Sequence, residues 1–201
     1  MRIFLSLSLG YFLGCISPSH ILEKIKHVNI RNQGTKNLGA TNTMIILGKG
    51  YGALVMILDL LKSFVAVKIA ERLLPAMPSL WLLTGFSAVA GHVFPFYLKF
   101  KGGKGLASFG GVVLGYDAFT FLFLLVISVI CMFLFKYGTA MPFSSSILFP
   151  FFVLIRKGDI PCFLISALLG GLIIFKHWEN IKRARQGEDI TVKEYIRRYI
   201  K

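Results

Sequence analysis

The sequence predicts an all-α integral membrane protein with seven transmembrane helices. Of its 201 residues, 55% are hydrophobic, the mean hydropathy is +0.70, and the apolar residues fall into long segments separated by basic loops. A helix needs about 20 apolar residues to cross a hydrocarbon core of about 30 Å. No internal repeat or low-complexity linker divides the chain, so we expect one membrane-embedded domain over residues 1–201.

The first three apolar segments have the length of a membrane span, and the fourth is about half as long. No clear cleavage site follows the first segment, so we expect it to remain as a span and not to be removed as a signal peptide. In chain order the predicted segments are Ile3–Leu22, Tyr51–Leu74, Ser79–Leu98, Leu106–Tyr116, Ala118–Phe135, Pro142–Ile155 and Ile160–Phe175.

The basic loops predict the orientation. The loop Glu23–Gly50, the loop Lys99–Lys104 and the tail from Lys176 are all rich in lysine and arginine, which places them on the cytoplasmic side. An even number of crossings must then follow Lys104, so the short fourth segment counts as a crossing. The predicted topology has the N-terminus outside and the C-terminus in the cytoplasm, with Arg156 outside against the rule.

The net charge of +14 and the residue types exclude several classes of protein. With this hydropathy, the charge is better explained by cytoplasmic loops and anionic lipid or substrate than by nucleic acid. The three cysteines form no CxxC pair and the four histidines form no HExxH motif. We therefore expect neither a metal nor a cofactor. The sequence does not determine the oligomeric state.

A lysine- and glycine-rich loop, Gly91–Gly105, is the strongest candidate for a site. Glycines without Cβ let backbone N–H groups approach a ligand closely, and lysine adds positive charge. Gly102, Gly103 and Lys104 stand just before the fourth segment, where a helix N-terminus would also favour an anion. This pattern predicts phosphate binding, with Lys104 as the main cation.

Three other stretches admit two interpretations each. The loop Asn29–Asn42 is either an anion-binding loop or a solvated turn. Asp59 and Lys62 share one helical face and form either part of a pathway or site, or a structural ion pair. The tail from His177 is either part of the site or a basic amphipathic helix on anionic lipid. Lys136–Pro142 is a weaker candidate.

Together these motifs resemble the bacterial acyl-phosphate-dependent glycerol-3-phosphate acyltransferases, the PlsY family. Gly34–Asn42 is similar to the family's GSGNxGATN loop, and Gly91–Gly105 to its GHxFPxxxxFKGGKG loop. Asp59–Lys62 is similar to its DxxKG motif, and His177–Arg183 to its HxxNIxR tail. The order and the spacing agree over nearly the whole chain.

The resemblance implies transfer of a fatty acyl group from acyl phosphate to the 1-hydroxyl of glycerol 3-phosphate, giving lysophosphatidic acid and phosphate. It implies a multi-pass protein of the bacterial cytoplasmic membrane that uses no metal and no covalent acyl-enzyme. By this resemblance the catalytic residues are Lys104, His177 and Asn180. The residues expected to bind substrate or phosphate are Thr35, Lys36, Asn37, Asn42, Gly102, Gly103, Lys104 and Thr139.

The chain departs from the family pattern at several positions. Ile45 stands where a phosphate-binding arginine is expected, and Thr35-Lys36 replaces Ser-Gly. Lys36 is therefore a hypothetical replacement for the missing charge. The other departures are Asn29 for aspartate, Lys136 for arginine, Thr139 and Pro142 for two serines, and Asp189 for glutamate.

Two alternatives to this activity remain open. The departures at Ile45 and Pro142 are compatible with a paralogue that has lost the activity or uses a different phosphorylated acceptor. Asp59 and Lys62 with the basic loops would also suit a channel or transporter for small anions. The second alternative is weaker, because the candidate loops are predicted on one face and no basic residues line a path across the membrane.

Overall fold

The computed structural model describes residues 1–157 and 159–200, and the described part of the chain is helical with no β-strand. Short 3₁₀ turns cover Ile30–Asn32 and Phe96–Leu98, and a π turn covers Ile196–Ile200. The α-helices are α1 Arg2–Cys15, α2 Pro18–Lys26, α3 Ala40–Leu47, α4 Lys49–Leu73, α5 Pro78–Val93, α6 Leu106–Tyr116, α7 Ala118–Phe135, α8 Ala140–Lys157, α9 Ile160–Gln186 and α10 Val192–Tyr195.

The all-helical prediction is confirmed, and each predicted apolar segment is mostly helical, although the first and the third are interrupted before Pro18 and Phe96. Four helical stretches in residues 1–157 and 159–200 are long and apolar enough to cross a membrane. They are Arg2–Lys26, Pro78–Leu98, Ala118–Phe135 and Ile160–Gln186; α6 and Ala140–Arg156 are shorter apolar helices. The predicted count of seven spans and their orientation stay predictions.

The sequence pattern missed three local features. The first predicted segment is broken after Cys15, because Ser17 caps a new helix and Pro18 occupies its first position. Helix α3 lies within a stretch predicted to be a loop. Helix α9 continues far beyond Phe175 and ends only at Gly187, whose φ of 74° is the left-handed conformation that terminates many helices.

The chain forms two compact units, residues 1–116 and 117–201. In the first unit, α1 packs closely against α5 through small residues. Gly10 and Gly14 lie against the carbonyl groups of Thr84 and Ala88, leaving no room for a Cβ. This is the small-xxx-small contact by which membrane helices approach closely. The Ser87 hydroxyl also donates a hydrogen bond of 2.6 Å across this contact, to the carbonyl of a residue in α1.

The contact between α4 and α6 completes the core of the first unit. Gly111 lies against the Leu60 carbonyl, and Gly115 packs on Val67. Helix α4 buries Asp59 and Lys62 near its middle while several of its leucine and isoleucine side chains are exposed. The exposed apolar face suits a lipid environment, and the polar pair faces the interior of the unit.

In the second unit, α8 packs against α7 and α9. Two aspartates begin its helices: Asp117 accepts a hydrogen bond of 2.6 Å from the Thr120 N–H, and Asp159 caps α9 in the same way. A capping box starts α10, where hydrogen bonds from Thr191 lower the pKa of the Glu194 carboxyl below its usual value.

Candidate functional site

The first candidate loop is organised by the side chain of Asn42, which is fully buried at the start of α3. Its Oδ1 accepts a hydrogen bond of 2.7 Å from the Thr35 N–H. Its amide nitrogen donates to the carbonyls of Ile30 (2.8 Å) and Gln33 (3.1 Å). One buried side chain therefore closes the loop over itself, and its predicted contact with substrate stays a prediction.

The other predicted residues of this loop lie on its outer side. Thr35 and Lys36 are exposed, and Asn37 is half-buried. Lys36 has a φ of 58°, the left-handed backbone conformation that favours glycine. Gly34 lies directly over Ile45, since a Cβ on this glycine would stand 3.5 Å from the Ile45 Cγ2 atom. The turn that carries Lys36 is thus placed beside the position where the sequence departs from the expected arginine.

The lysine loop is fixed to the end of α5 by its own backbone. The Gly102 N–H donates to the Val93 carbonyl at 3.0 Å, and the Gly103 N–H donates to the His92 carbonyl at 3.2 Å. Lys104 is half-buried and directly precedes Gly105, whose φ is 89° and whose carbonyl accepts the first hydrogen bond of α6. The prediction that Lys104 stands at a helix N-terminus is confirmed, and this position favours an anion.

The structure brings the lysine loop and the first loop together. The backbone of Gly103 lies against the Leu38 carbonyl, so tightly that a Cβ would not fit. Leu38 also packs with Ile30 and Leu98 in a small buried cluster. The glycine at position 103 is therefore required by close approach, and the two loops form one continuous surface within the first unit.

A buried polar network lies against the lysine loop. Lys62 Nζ is 2.7 Å from Asp59 Oδ1 and 2.9 Å from His92 Nδ1, and Asp59 Oδ1 is 3.1 Å from His92 Nδ1. Lys62 also donates a hydrogen bond of 2.6 Å to the Ile16 carbonyl at the break between α1 and α2. Of the two interpretations of Asp59 and Lys62, the structure shows the ion pair. The contact of His92 with this ion pair was not predicted, because 30 residues of chain separate His92 from Lys62 and no local sequence pattern links them.

His177 and Asn180 lie on the last part of α9, in the second unit. The His177 Nδ1–H donates to the Ile173 carbonyl at 2.9 Å, and the imidazole is buried. Because a carbonyl only accepts, this hydrogen bond leaves Nε2 as the acceptor nitrogen of the neutral ring. A fixed tautomer is what a histidine needs in order to receive a proton or a hydroxyl hydrogen bond at Nε2.

The loop Lys136–Pro142 contacts the segment that follows α9. Tyr137 and Thr191 pair in an isolated antiparallel bridge, and the Val192 N–H donates to the Lys136 carbonyl at 2.9 Å. Thr139 is half-buried and its carbonyl accepts a hydrogen bond of 3.4 Å from the Phe143 N–H at the start of α8. Within the second unit, the loop Lys136–Pro142, which contains Thr139, is therefore held against the chain at Thr191 and Val192.

Comparison with known proteins agrees with the sequence motifs. A family model described as "Glycerol-3-phosphate acyltransferase" matches residues 4–187. A glycerol-3-phosphate acyltransferase of Geotalea daltonii is 35% identical over 185 residues, covering 92% of this chain and 94% of that protein. One of Coxiella burnetii is 36% identical over 194 residues, covering 96% of this chain and all of that protein.

Solved structures agree as well. Two crystal structures of PlsY (YgiH), an integral membrane glycerol 3-phosphate acyltransferase, each superpose with a TM-score of 0.88. The glycerol 3-phosphate form is 31% identical and covers 95% of this chain and 96% of that chain. The lysophosphatidic acid form is 30% identical and covers 98% of this chain and 100% of that chain. The predicted resemblance is confirmed: this chain is a multi-pass integral membrane protein and belongs to the glycerol-3-phosphate acyltransferase family.

Proposed function

We propose that this protein transfers a fatty acyl group from acyl phosphate to the 1-hydroxyl of glycerol 3-phosphate, releasing lysophosphatidic acid and phosphate. The observation that carries the proposal is the lysine loop. It presents Lys104 at the N-terminus of α6, with the backbone of Gly102 and Gly103 held close against α5 and the first loop. A cation at a helix N-terminus is suited to a phosphate group. The Gly102 and Gly103 N–H groups already donate to carbonyls of α5, so these glycines support the site by fixing the loop backbone.

The reaction needs positioning and charge stabilisation more than a protein nucleophile. Acyl phosphate is already activated: the hydroxyl oxygen forms a new bond to the acyl carbon, the bond from that carbon to the phosphate oxygen breaks, and phosphate leaves with the negative charge. Lys104 stabilises that charge as it develops. The hydroxyl proton passes to the leaving phosphate. His177 is assigned the orientation of glycerol 3-phosphate, as the family resemblance implies.

The remaining residues are assigned binding roles. Lys36 and Asn37, on the outer side of the first loop, contact a substrate phosphate together with Thr35. Asn180 and Thr139 donate or accept hydrogen bonds to the substrate's polar groups. Asn42 acts by holding the first loop closed, which its three hydrogen bonds support.

The protein acts in the bacterial cytoplasmic membrane, as one membrane domain with seven spans, an external N-terminus and a cytoplasmic C-terminus. The apolar helices and the distribution of lysine and arginine support this arrangement. The acyl-phosphate donor is lipid-like and the acceptor is a soluble anion. A basic surface at the cytoplasmic boundary serves both, since it attracts phosphate from either source.

Turnover by the purified protein in detergent tests the proposal. With acyl phosphate and glycerol 3-phosphate, we expect one lysophosphatidic acid and one phosphate for each donor consumed. Acyl phosphate without acceptor serves as the control for hydrolysis. If product is absent while a conventional relative is active under the same conditions, the proposal is wrong.

A second candidate is the same transfer to a different phosphorylated acceptor. It is favoured by Ile45, whose apolar side chain lies against Gly34 where the family pattern has an arginine. A screen of phosphorylated alcohols with one acyl phosphate separates the two. Faster acylation of another acceptor than of glycerol 3-phosphate would replace the first candidate with the second.

A further inference from the structure

The residues of the buried network, Asp59, Lys62 and His92, contact both the lysine loop and helix α6, which follows it. On one side, the His92 imidazole packs directly on the backbone of Gly103, whose N–H donates to the His92 carbonyl. On the other side, the Ser108 hydroxyl donates to the Asp59 carbonyl at 3.2 Å. In sequence, Lys104 therefore lies between Gly103, which packs on the His92 ring, and Ser108, which binds the main chain of α4 at Asp59.

The network also determines the orientation of the imidazole. His92 Nδ1 lies within hydrogen-bond distance of Asp59 and of Lys62, and all three side chains are at most 7% exposed. An imidazole whose Nδ1 is held in this way has a fixed ring plane. Gly103 rests on that ring, so the plane of the ring fixes the position of the loop backbone.

A structural role alone does not account for the pair. Burying two charges in a membrane protein is costly, and apolar side chains of similar volume usually stabilise a helix contact as well or better. The charged pair offers what an apolar pair lacks, which is a hydrogen-bond partner for His92 and for the Ile16 carbonyl.

We propose that Asp59, Lys62 and His92 are positioning residues for the phosphate site: they fix the His92 ring, and the ring fixes the backbone of Gly103 and Lys104. This inference rests on the proposed function in one respect, that the lysine loop binds the phosphate group of a substrate. None of the three side chains needs to touch that phosphate.

Two matched double variants separate positioning from stability. Asp59→Leu with Lys62→Met replaces the buried pair by apolar side chains and removes both partners of His92 Nδ1. Asp59→Asn with Lys62→Met removes the charges equally but keeps one side-chain acceptor for Nδ1. Both are expected to fold, because an apolar or neutral replacement leaves no unpaired buried charge.

The readout is binding of glycerol 3-phosphate and of inorganic phosphate in detergent, measured by calorimetry alongside the unfolding temperature. We expect the leucine variant to bind about tenfold more weakly than the wild type, and the asparagine variant to bind within about threefold of it. Equal affinity in all three proteins would overturn the proposal. So would a loss of affinity that simply follows the unfolding temperature.

Binding needs no turnover, so the outcome is distinct from that of the acyltransferase assay. A wild type that binds phosphate but acylates nothing would contradict the proposed function alone. A wild type that binds neither phosphate ligand would overturn the positioning role. If the apolar pair does not fold, His92→Phe keeps a buried ring of similar size but removes the contacts of Nδ1 with Asp59 and Lys62. It should weaken phosphate binding by about threefold, and unchanged affinity would count against the proposal.

Discussion

Asn42 shows how one side chain can hold a binding loop in place without touching a ligand. Its Oδ1 accepts from the Thr35 N–H, and its amide nitrogen donates to the carbonyls of Ile30 and Gln33. These two carbonyls also accept one backbone hydrogen bond each. A short amide is suited to this position, because it offers an acceptor and two donors from one rigid plane.

Replacing this amide should therefore destabilise the protein. Asn42→Ala removes three hydrogen bonds to backbone groups, and at about 1 kcal/mol for each we expect the free energy of unfolding to fall by about 3 kcal/mol. Asn37→Ala, at a half-buried position of the same loop, is the control and should leave stability within about 0.5 kcal/mol. Denaturation of both variants in detergent measures the difference. Equal stabilities would show that the loop does not depend on Asn42.

At Lys36 the backbone conformation favours glycine, whereas the side chain supplies an exposed positive charge. Its φ of 58° costs a non-glycine residue about 1 kcal/mol, and such conformations cluster at functional sites. The exposed side chain adds a cation beside Ile45. We expect the lysine at this position to bind phosphate in place of the missing arginine, which would offset the cost of its backbone conformation.

Lys36→Gly tests that explanation. Glycine relieves the left-handed backbone, so stability should be unchanged or higher by up to about 1 kcal/mol, while the KM for a phosphorylated substrate rises about tenfold. Lys36→Ala removes the charge but keeps the backbone cost, and should show the same KM. The explanation is wrong if both variants retain the wild-type KM and kcat.

At the scale of the helices, glycine is needed where the backbones of two helices approach each other closely. Gly14 in α1 lies on the Ala88 carbonyl of α5, and the fit leaves no space for a methyl group. In membranes, packing and hydrogen bonds between helices replace the hydrophobic effect as the source of association. Gly171 in α9, by contrast, has open space around its Cα.

Substituting alanine for each of these two glycines gives a test variant, at Gly14, and its control, at Gly171. Gly14→Ala should lower the free energy of unfolding by about 2 kcal/mol through overpacking. Gly171→Ala should raise stability by up to about 1 kcal/mol, because alanine is the better helix former. Thermal unfolding in one detergent compares them. A Gly14→Ala protein as stable as wild type would contradict the close contact between α1 and α5.

The helices themselves were largely predictable from the sequence, because long apolar runs between basic loops allow few alternatives. What the pattern could not show were the break at Ser17-Pro18 and the short helix α3, where capping and packing outweigh hydropathy. The placement of Asp59 and Lys62 on one helical face is a local property that the sequence predicts, and the ion pair was one of its two interpretations. The addition of His92 depends on how α4 and α5 pack, and no spacing in the sequence encodes that contact.

At the scale of the whole molecule, the orientation of the loops is the main expectation. Ala76 lies in the uncharged connection between α4 and α5, whereas Lys101 lies in the basic lysine loop. The positive-inside rule places the first outside the cell and the second in the cytoplasm.

Single cysteines at these two positions test the orientation in a background without the three native cysteines, Cys15, Cys131 and Cys162. A membrane-impermeant maleimide should label Ala76→Cys in intact cells and Lys101→Cys only after the membrane is opened. The reverse pattern would invert the topology. Labelling of both from outside would show that α5 does not separate the two loops.

The proposed activity depends on phosphate binding by the lysine loop. The most direct measurement is the steady-state rate of lysophosphatidic acid formation from acyl phosphate and glycerol 3-phosphate by Lys104→Ala, with the exposed Lys101→Ala as the control of equal charge change. We expect kcat/KM to fall at least about 100-fold for Lys104→Ala, as for loss of a group that stabilises transition-state charge, and less than about threefold for Lys101→Ala. Equal activities of the two variants would contradict the assignment of the phosphate site to Lys104.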